Sequence, residues 1–244
     1  MNGLLGLLAE TPAAEQPRET PIRERFQRNE VSPAVSVHYD QIRDEQIHVL
    51  VQQLFFRHES GPVRHVGFSS AEASTQTATL CLEVAKTLAV GERYDVGLID
   101  AHSDSVLLQT HLQIPSSHRA EPTWPIAPRL WMVPRQSWLP DASGQRTTDQ
   151  NLSRLRELTT EFDFSILWCA PVSWLAASIG QACDGLVLVL TANKTRRLVA
   201  AQIKDQLSKA QVPLLGTVLA DVGNYGGSAI FALLLSAATS RVSV

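Results

Sequence analysis

Val66-Gly67-Phe68-Ser69-Ser70-Ala71-Glu72-Ala73-Ser74-Thr75-Gln76-Thr77-Ala78-Thr79-Leu80 is the stretch that decides the fold. A short apolar strand, Val66 to Phe68, runs into a loop of small residues. An amphipathic helix follows, with Leu80, Val84 and Leu88 on one face. This is the frame of a phosphate-binding loop, but its chemistry is missing. Such a loop needs glycines so that backbone N–H groups can wrap a phosphate, a lysine for the β/γ-phosphates, and a hydroxyl for Mg²⁺. Here no glycine follows Gly67 within the loop, and no lysine comes before Lys86.

Working outward, short apolar runs alternate with helical patterns. Ile47, Leu50, Val51, Leu54 and Phe55 fall at i, i+3, i+4, i+7 and i+8, which predicts a helix from Asp40 to Phe56, with Gly61-Pro62 as its stop. A strand is expected at Val63–Phe68 and a helix at Thr77–Ala89, stopped by Gly91. Asp95–Asp100 reads as a buried strand ending in an acid. Residues 101–128 carry four prolines and read as irregular. Leu130–Val133, Phe162–Leu167, Leu186–Leu190 and Leu214–Leu219 have strand length. Leu152, Leu155 and Leu158 mark one helix, and Leu198, Ile203 and Leu207 another from Lys194 to Lys209. The alternation predicts an α/β fold: a doubly wound, mostly parallel sheet with helices on both faces, in three layers. Residues 1–36, rich in Pro, Glu and Arg, are expected to be a flexible arm whose Leu4, Leu5, Leu7 and Leu8 form a docking helix or a frayed end. The folded domain is placed at 37–244.

The bulk numbers exclude several classes. A net charge of −3 over 244 residues offers no electrostatic footprint for nucleic acid or an anionic membrane. The three cysteines are far apart, which argues against a disulfide framework or a zinc site and fits a reducing cytoplasm. The apolar runs at Met1–Ala9 and Ala229–Leu235 are shorter than the roughly 20 residues a span requires, so membrane contact is expected only through a partner. No histidine has metal-ligand spacing.

The order of elements resembles the cytoplasmic kinase domain of the bacterial tyrosine kinases of capsular and exopolysaccharide synthesis. These belong to the MinD/ParA-like, deviant-Walker branch of P-loop proteins. The resemblance covers roughly residues 30 to 225. The family pattern I-G-V-T-S-A-x-x-G-E-G-K-S-T lies on Val66 onward without a gap, and Ser69-Ser70-Ala71 match it. Its glycines fall on Ser74 and Gln76, its lysine on Thr77 and its Mg²⁺ serine on Ala78; Thr79 keeps its type. The I-D-x-D strand becomes Ile99-Asp100-Ala101-His102. The aspartate that the family links to metal, in Y-D-x-V-I-I-D-T-P-P, is Trp168. Ala182–Val189 and Lys194-Thr195-Arg196-Arg197 resemble A-D-G-V-L-L-V-V and K-T-R-R. The adenine-facing asparagine of G-V-V-L-N is Ala220. The subunit-contact segment E-Q-x-R-x-L-R corresponds to Glu45–Val51, with Glu45 and Gln46 kept and the arginines replaced by His48 and Val51. The family's C-terminal tyrosine cluster is absent: Tyr39, Tyr94 and Tyr225 are the only tyrosines.

The resemblance implies a polysaccharide tyrosine kinase, and the substitutions point to one that has lost its nucleotide. Each lost charge-assisted hydrogen bond costs roughly 1.5–3 kcal/mol, and each ~1.4 kcal/mol is tenfold in affinity. No cofactor, metal or catalytic residue is therefore expected. The expectation is a pseudo-kinase scaffold, cytoplasmic and recruited to the inner membrane by a Wzz-like polysaccharide co-polymerase. Glu45, Gln46, His48, Leu50 and Leu54 are the candidate partner-facing or self-associating residues, and a homodimer or monomer is expected in place of a ring. The alternatives are a MinD/ParA-like positioning factor and an atypical active kinase or ATPase. Asp100 and His102 are read as a relic acid pair, solvated in an empty cleft. Trp124, Trp131 and Trp138 are read as partly buried anchors, and Lys194–Arg197 as a solvent-facing helix start.

Overall fold

The computed structural model describes residues 41–56, 62–72, 75–90, 93–102, 123–139, 148–222 and 229–234. The arm 1–36, Ser74, Tyr39, Tyr225 and the tail 236–244 lie outside them. Eight strands form one sheet: β1 His65–Ser70, β2 Val96–Ala101, β3 Trp124–Ala127, β4 Leu130–Val133, β5 Phe164–Cys169, β6 Gly185–Thr191, β7 Leu214–Val222 and β8 Ala229–Leu234. Their order is β3-β4-β2-β5-β1-β6-β7-β8. The six central strands run parallel, and an antiparallel strand closes each edge.

Among the described residues, five α-helices cover the sheet: α1 Gln41–Val51, α2 Thr75–Ala89, α3 Thr148–Thr159, α4 Trp174–Ala182 and α5 Arg197–Lys209. α1 and α2 pack on one face, over Val66, Phe68, Leu98, Ile166, Trp168 and Val187. α3, α4 and α5 pack on the other, over Ile99, Leu167, Cys169, Leu186 and Leu188. The alternation follows from the pleat, since successive side chains of a strand point to opposite faces. The three-layer, doubly wound expectation holds.

α1 buries Ile47, Leu50 and Val51, and a π-helical turn, Gln52–Phe56, continues it and buries Leu54 and Phe55. Phe55 and Phe56 meet Phe164, the first residue of β5, at 5.5 and 5.7 Å between ring centroids. The chain therefore leaves this element at the amino edge of the parallel strands, where β1 begins. α2 is buried nearly all round, from Thr77 to Ala89, between sheet and α1. That explains its Ala, Thr and Cys content: small side chains let the helix sit close to the sheet. Gly67 serves the same need, because a Cβ there would lie 2.4 Å from Leu186 Cδ2.

Several sequence expectations are corrected. β1 starts two residues later than expected and reaches Ser70. The region read as irregular contains β3, paired antiparallel with β4. Pro125 hid it, yet an edge strand tolerates a residue with no donor. α4 had no signal of its own, being a short, mostly apolar stretch capped by the Ser173 side chain. α5 begins at Arg197, and Lys194 sits in the preceding turn. The run Ala229–Leu234, noted only as too short to span a membrane, is edge strand β8. Among the described residues no helix is long and apolar enough to cross a membrane.

Candidate functional site

Ligands of open parallel sheets bind beyond the carboxyl ends of the strands, at the point where neighbouring connections diverge to opposite sides. Here that point lies at the end of β1, which pairs with β5 on one side and β6 on the other. From β1 the chain winds toward β2, whereas from β6 it winds toward β7. The three strand ends are tied together directly. The Ser69 hydroxyl donates to Ala170 O at 2.6 Å. Val172 N–H donates to Ser70 O at 3.1 Å, and Ala71 N–H to Val189 O at 3.1 Å.

The first turn of α2 follows. Gln76 and Thr79 are half-buried, while Thr77 and Ala78 are fully enclosed, at 0% and 2% exposure. The Thr77 hydroxyl has no hydrogen-bond partner. This is the position the resemblance assigns to the phosphate-binding lysine, and it faces packed interior. Lys86 does not substitute for it. It lies in the last turns of α2, where burial holds its ammonium below the usual lysine range, partly opposed by Glu83.

Asp100, Trp168 and Phe68 stand in register on β2, β5 and β1. Residues in register share a face, here the one covered by α2. Asp100 is 0% exposed. One of its carboxylate oxygens accepts the His102 backbone N–H at 3.0 Å, and its carbonyl accepts Trp138 Nε1–H at 3.0 Å. His102 is buried and lies flat on Trp168, with ring centroids 4.3 Å apart and planes 12° from parallel. The expectation of a solvated acid pair in an empty cleft is therefore corrected. The space beside the acid is filled by an indole and an imidazole. Among the described residues, no group of three or more His, Cys, Asp or Glu is placed to hold a metal ion.

On the β6 side, the turn after the strand folds back on itself. Lys194 and Thr195 N–H both donate to Thr191 O, and Thr191 N–H donates to Thr195 Oγ1 at 3.0 Å. Asn193 takes a left-handed φ of 60° to close the turn. This aims Lys194 Nζ at Glu72 Oε2, 3.4 Å away, across the β1–β6 crevice. Local pattern gave no hint of the pair. The mouth of the loop thus carries an ion pair, in which a carboxylate answers the one ammonium seen there among the described residues. Ala220, which the resemblance assigns to the adenine-asparagine position, is buried, and its carbonyl accepts Ala192 N–H at 2.7 Å.

The α1 candidates separate into two groups. Glu45 and His48 are exposed and Gln46 is half-buried, and His48 Nδ1 lies 3.0 Å from Asp44 O. Leu50 and Leu54 are 2% and 0% exposed in the chain's own core, so neither offers a partner surface, which corrects that part of the assignment. Trp124 and Trp138 are fully buried anchors, and only Trp131 is partly buried as expected.

No protein-family model matches the chain. It is 29% identical over 111 residues to the tyrosine-protein kinase CpsD of Streptococcus agalactiae, a stretch covering 41% of this chain and 48% of that protein. The match thus spans about half the length of that curated relative. In fold, the chain is similar to the kinase domain of the Escherichia coli tyrosine kinase ETK. The TM-score is 0.58 at 16% identity, over 77% of this chain and 78% of that one. A plasmid partition protein from Borrelia burgdorferi is similar at a TM-score of 0.50 and 14% identity, over 64% and 77%. The fold is that of the P-loop class to which bacterial tyrosine kinase domains and ParA-like proteins belong, and the chain resembles the former in sequence as well.

Proposed function

We propose that this chain is a pseudo-kinase: a relative of the polysaccharide-synthesis tyrosine kinases that keeps the fold as a binding module and carries out no phosphoryl transfer. The observation that carries the reading is Trp168. It occupies the position of the metal-linked acid, is buried, and is stacked on His102 beside Asp100. An indole cannot ligate Mg²⁺, and its bulk fills the volume that the ion and its waters would need. Thr77 in place of the lysine, Ala78 in place of the Mg²⁺ hydroxyl, and Glu72 at the loop mouth all act in the same direction.

In this reading the protein acts through its surfaces, as a cytoplasmic scaffold on the inner-membrane co-polymerase of an exopolysaccharide, capsule or adhesin. Glu45, Gln46 and His48 on α1 face the partner or a second copy. Two assays test it. Protein incubated with Mg-ATP and read by mass spectrometry is expected to leave Tyr39, Tyr94 and Tyr225 unmodified. Stoichiometric phosphate on any of them makes the chain an active kinase instead. A pull-down from the native host is expected to recover a membrane co-polymerase. The likeness to the partition protein favours one second reading, a ParA-like positioning factor, and recovery of division, pilus or flagellar proteins would establish it.

A further inference from the structure

We infer that the carboxyl edge of the sheet, where α4 and α5 begin, is a peripheral membrane contact: Arg196 and Arg197 bind the phosphates of an anionic phospholipid surface, and Trp174 and Leu198 enter its headgroup region. This goes beyond recruitment by a partner, because the chain itself touches lipid, and it does not depend on whether nucleotide binds. Topology puts the four residues on one edge. α4 follows β5, and α5 follows β6. β5 and β6 flank β1, so their ends stand two strand spacings apart, about 10 Å. Both helices cover the same face of the sheet. Both starts are anchored. Val172 N–H donates to Ser70 O at 3.1 Å, and the Ser173 side chain caps α4 by accepting Ala176 N–H. The turn before α5 is closed by Thr191 N–H donating to Thr195 Oγ1 at 3.0 Å. At these fixed starts Trp174 is 68% and Leu198 70% exposed. The two side chains need not touch each other. A flat, fluid surface meets each separately, with no groove to match.

Charge selects the occupant. The net charge of −3 gives the molecule as a whole no footprint for an anionic surface, but this edge departs from that average. Arg196 and Arg197 are exposed and directly precede Leu198, and among the described residues neither is in an ion pair. The accessible acids described at this edge are Glu72, which Lys194 answers, and Asp149, in the first turn of the neighbouring α3. Arg135, half-buried after β4, adds a further base. The local balance is therefore positive. Arginines near an anionic leaflet are attracted to it, and salt screens that attraction. An indole favours the boundary between headgroups and hydrocarbon, and an exposed leucine adds apolar area to bury there. Arginines next to protruding Trp and Leu side chains are the composition of an interfacial contact.

The test is co-sedimentation of the full chain with vesicles of phosphatidylglycerol and phosphatidylethanolamine, against vesicles of phosphatidylcholine alone. The expected result is binding to the anionic vesicles roughly tenfold tighter than to the neutral ones, and weakened by added salt. Arg196→Glu with Arg197→Glu is expected to abolish that preference. Lys204→Glu with Lys209→Glu, the same change of net charge further along α5, is expected to leave it nearly unchanged. Fluorescence locates the contact. Trp174 is the one strongly exposed tryptophan of five, so anionic vesicles are expected to shift the emission to the blue. Trp174→Phe is expected to remove the shift and keep the binding. Trp174→Ser with Leu198→Ser is expected to weaken binding several-fold at an unchanged melting temperature, since both side chains are exposed. Equal binding to the two kinds of vesicle, equal losses with the two charge-reversed pairs, or an unmoved emission would overturn the inference. Binding to neither vesicle would overturn it too, including where this edge captures a protein instead.

Discussion

At Thr77 a hydroxyl is sealed in the first turn of α2 with nothing to bond. Burying a hydroxyl without a partner costs about 1–3 kcal/mol by mutational data. Thr77→Val keeps the shape and removes that cost, so it is expected to raise the denaturation midpoint by about 1 kcal/mol of stability. Thr77→Lys, which would restore the family's residue, is expected to destabilise, because an ammonium enters an enclosed site. Trp168→Asp would likewise restore an acid on paper. It removes a buried indole, costing about 3–5 kcal/mol for truncation alone, and sets a second carboxylate beside Asp100. The expected outcome in urea unfolding is a large loss of stability with no gain of ATP binding. The pH profile has a definite sign at two residues. His65 is held below its usual 6.5, first by burial and then by Arg64, with Asp184 opposing. The fold therefore prefers it neutral, and its contribution is full above 6.5 and declines as pH falls below. Burial raises Cys183 from 9.0 to about 12, so that contribution is full below 9.0 and is lost as pH rises toward 12. His65→Gln is expected to flatten the acid limb and Cys183→Ala the alkaline one.

Among the elements, α1 behaves as core. Leu54→Ala is expected to cost about 2–5 kcal/mol, measured by urea unfolding, because Leu54, in the π turn that continues α1, is fully buried. Deleting residues 1–36 is expected to leave the melting temperature nearly unchanged while weakening partner recruitment in the native host. Much of this scale was legible in the sequence. The parallel strands announced themselves as apolar runs, and α1, α2 and α3 as apolar residues at helical spacing, because burial on a sheet imposes those periods. What stayed hidden has physical reasons. β3 carries Pro125, whose missing donor is tolerated only because the strand lies at an edge. The His102–Trp168 stack and the Glu72–Lys194 pair join residues far apart in sequence. No local pattern encodes such contacts, so the site was foreseen as an open cleft with an acid in water.

At the scale of the molecule, the sheet places the end of β1 at the divergence of two windings, the position where this architecture collects ligands. The chain keeps that architecture and gathers several of its own side chains around the position. Ser69, Ser70 and Ala71 close the strand ends onto one another, Trp168 and His102 occupy the side next to Asp100, and Glu72 answers Lys194 at the mouth. On the pseudo-kinase reading proposed above, a protein so arranged gains nothing from nucleotide. The direct measurement is thermal unfolding with and without millimolar Mg-ATP. A ligand at a hundredfold excess over its Kd stabilises the native state by about 2.7 kcal/mol, which a protein of this size reports as a clear rise in melting temperature. The account predicts superimposable unfolding curves, and a saturable upward shift with Mg-ATP would contradict it.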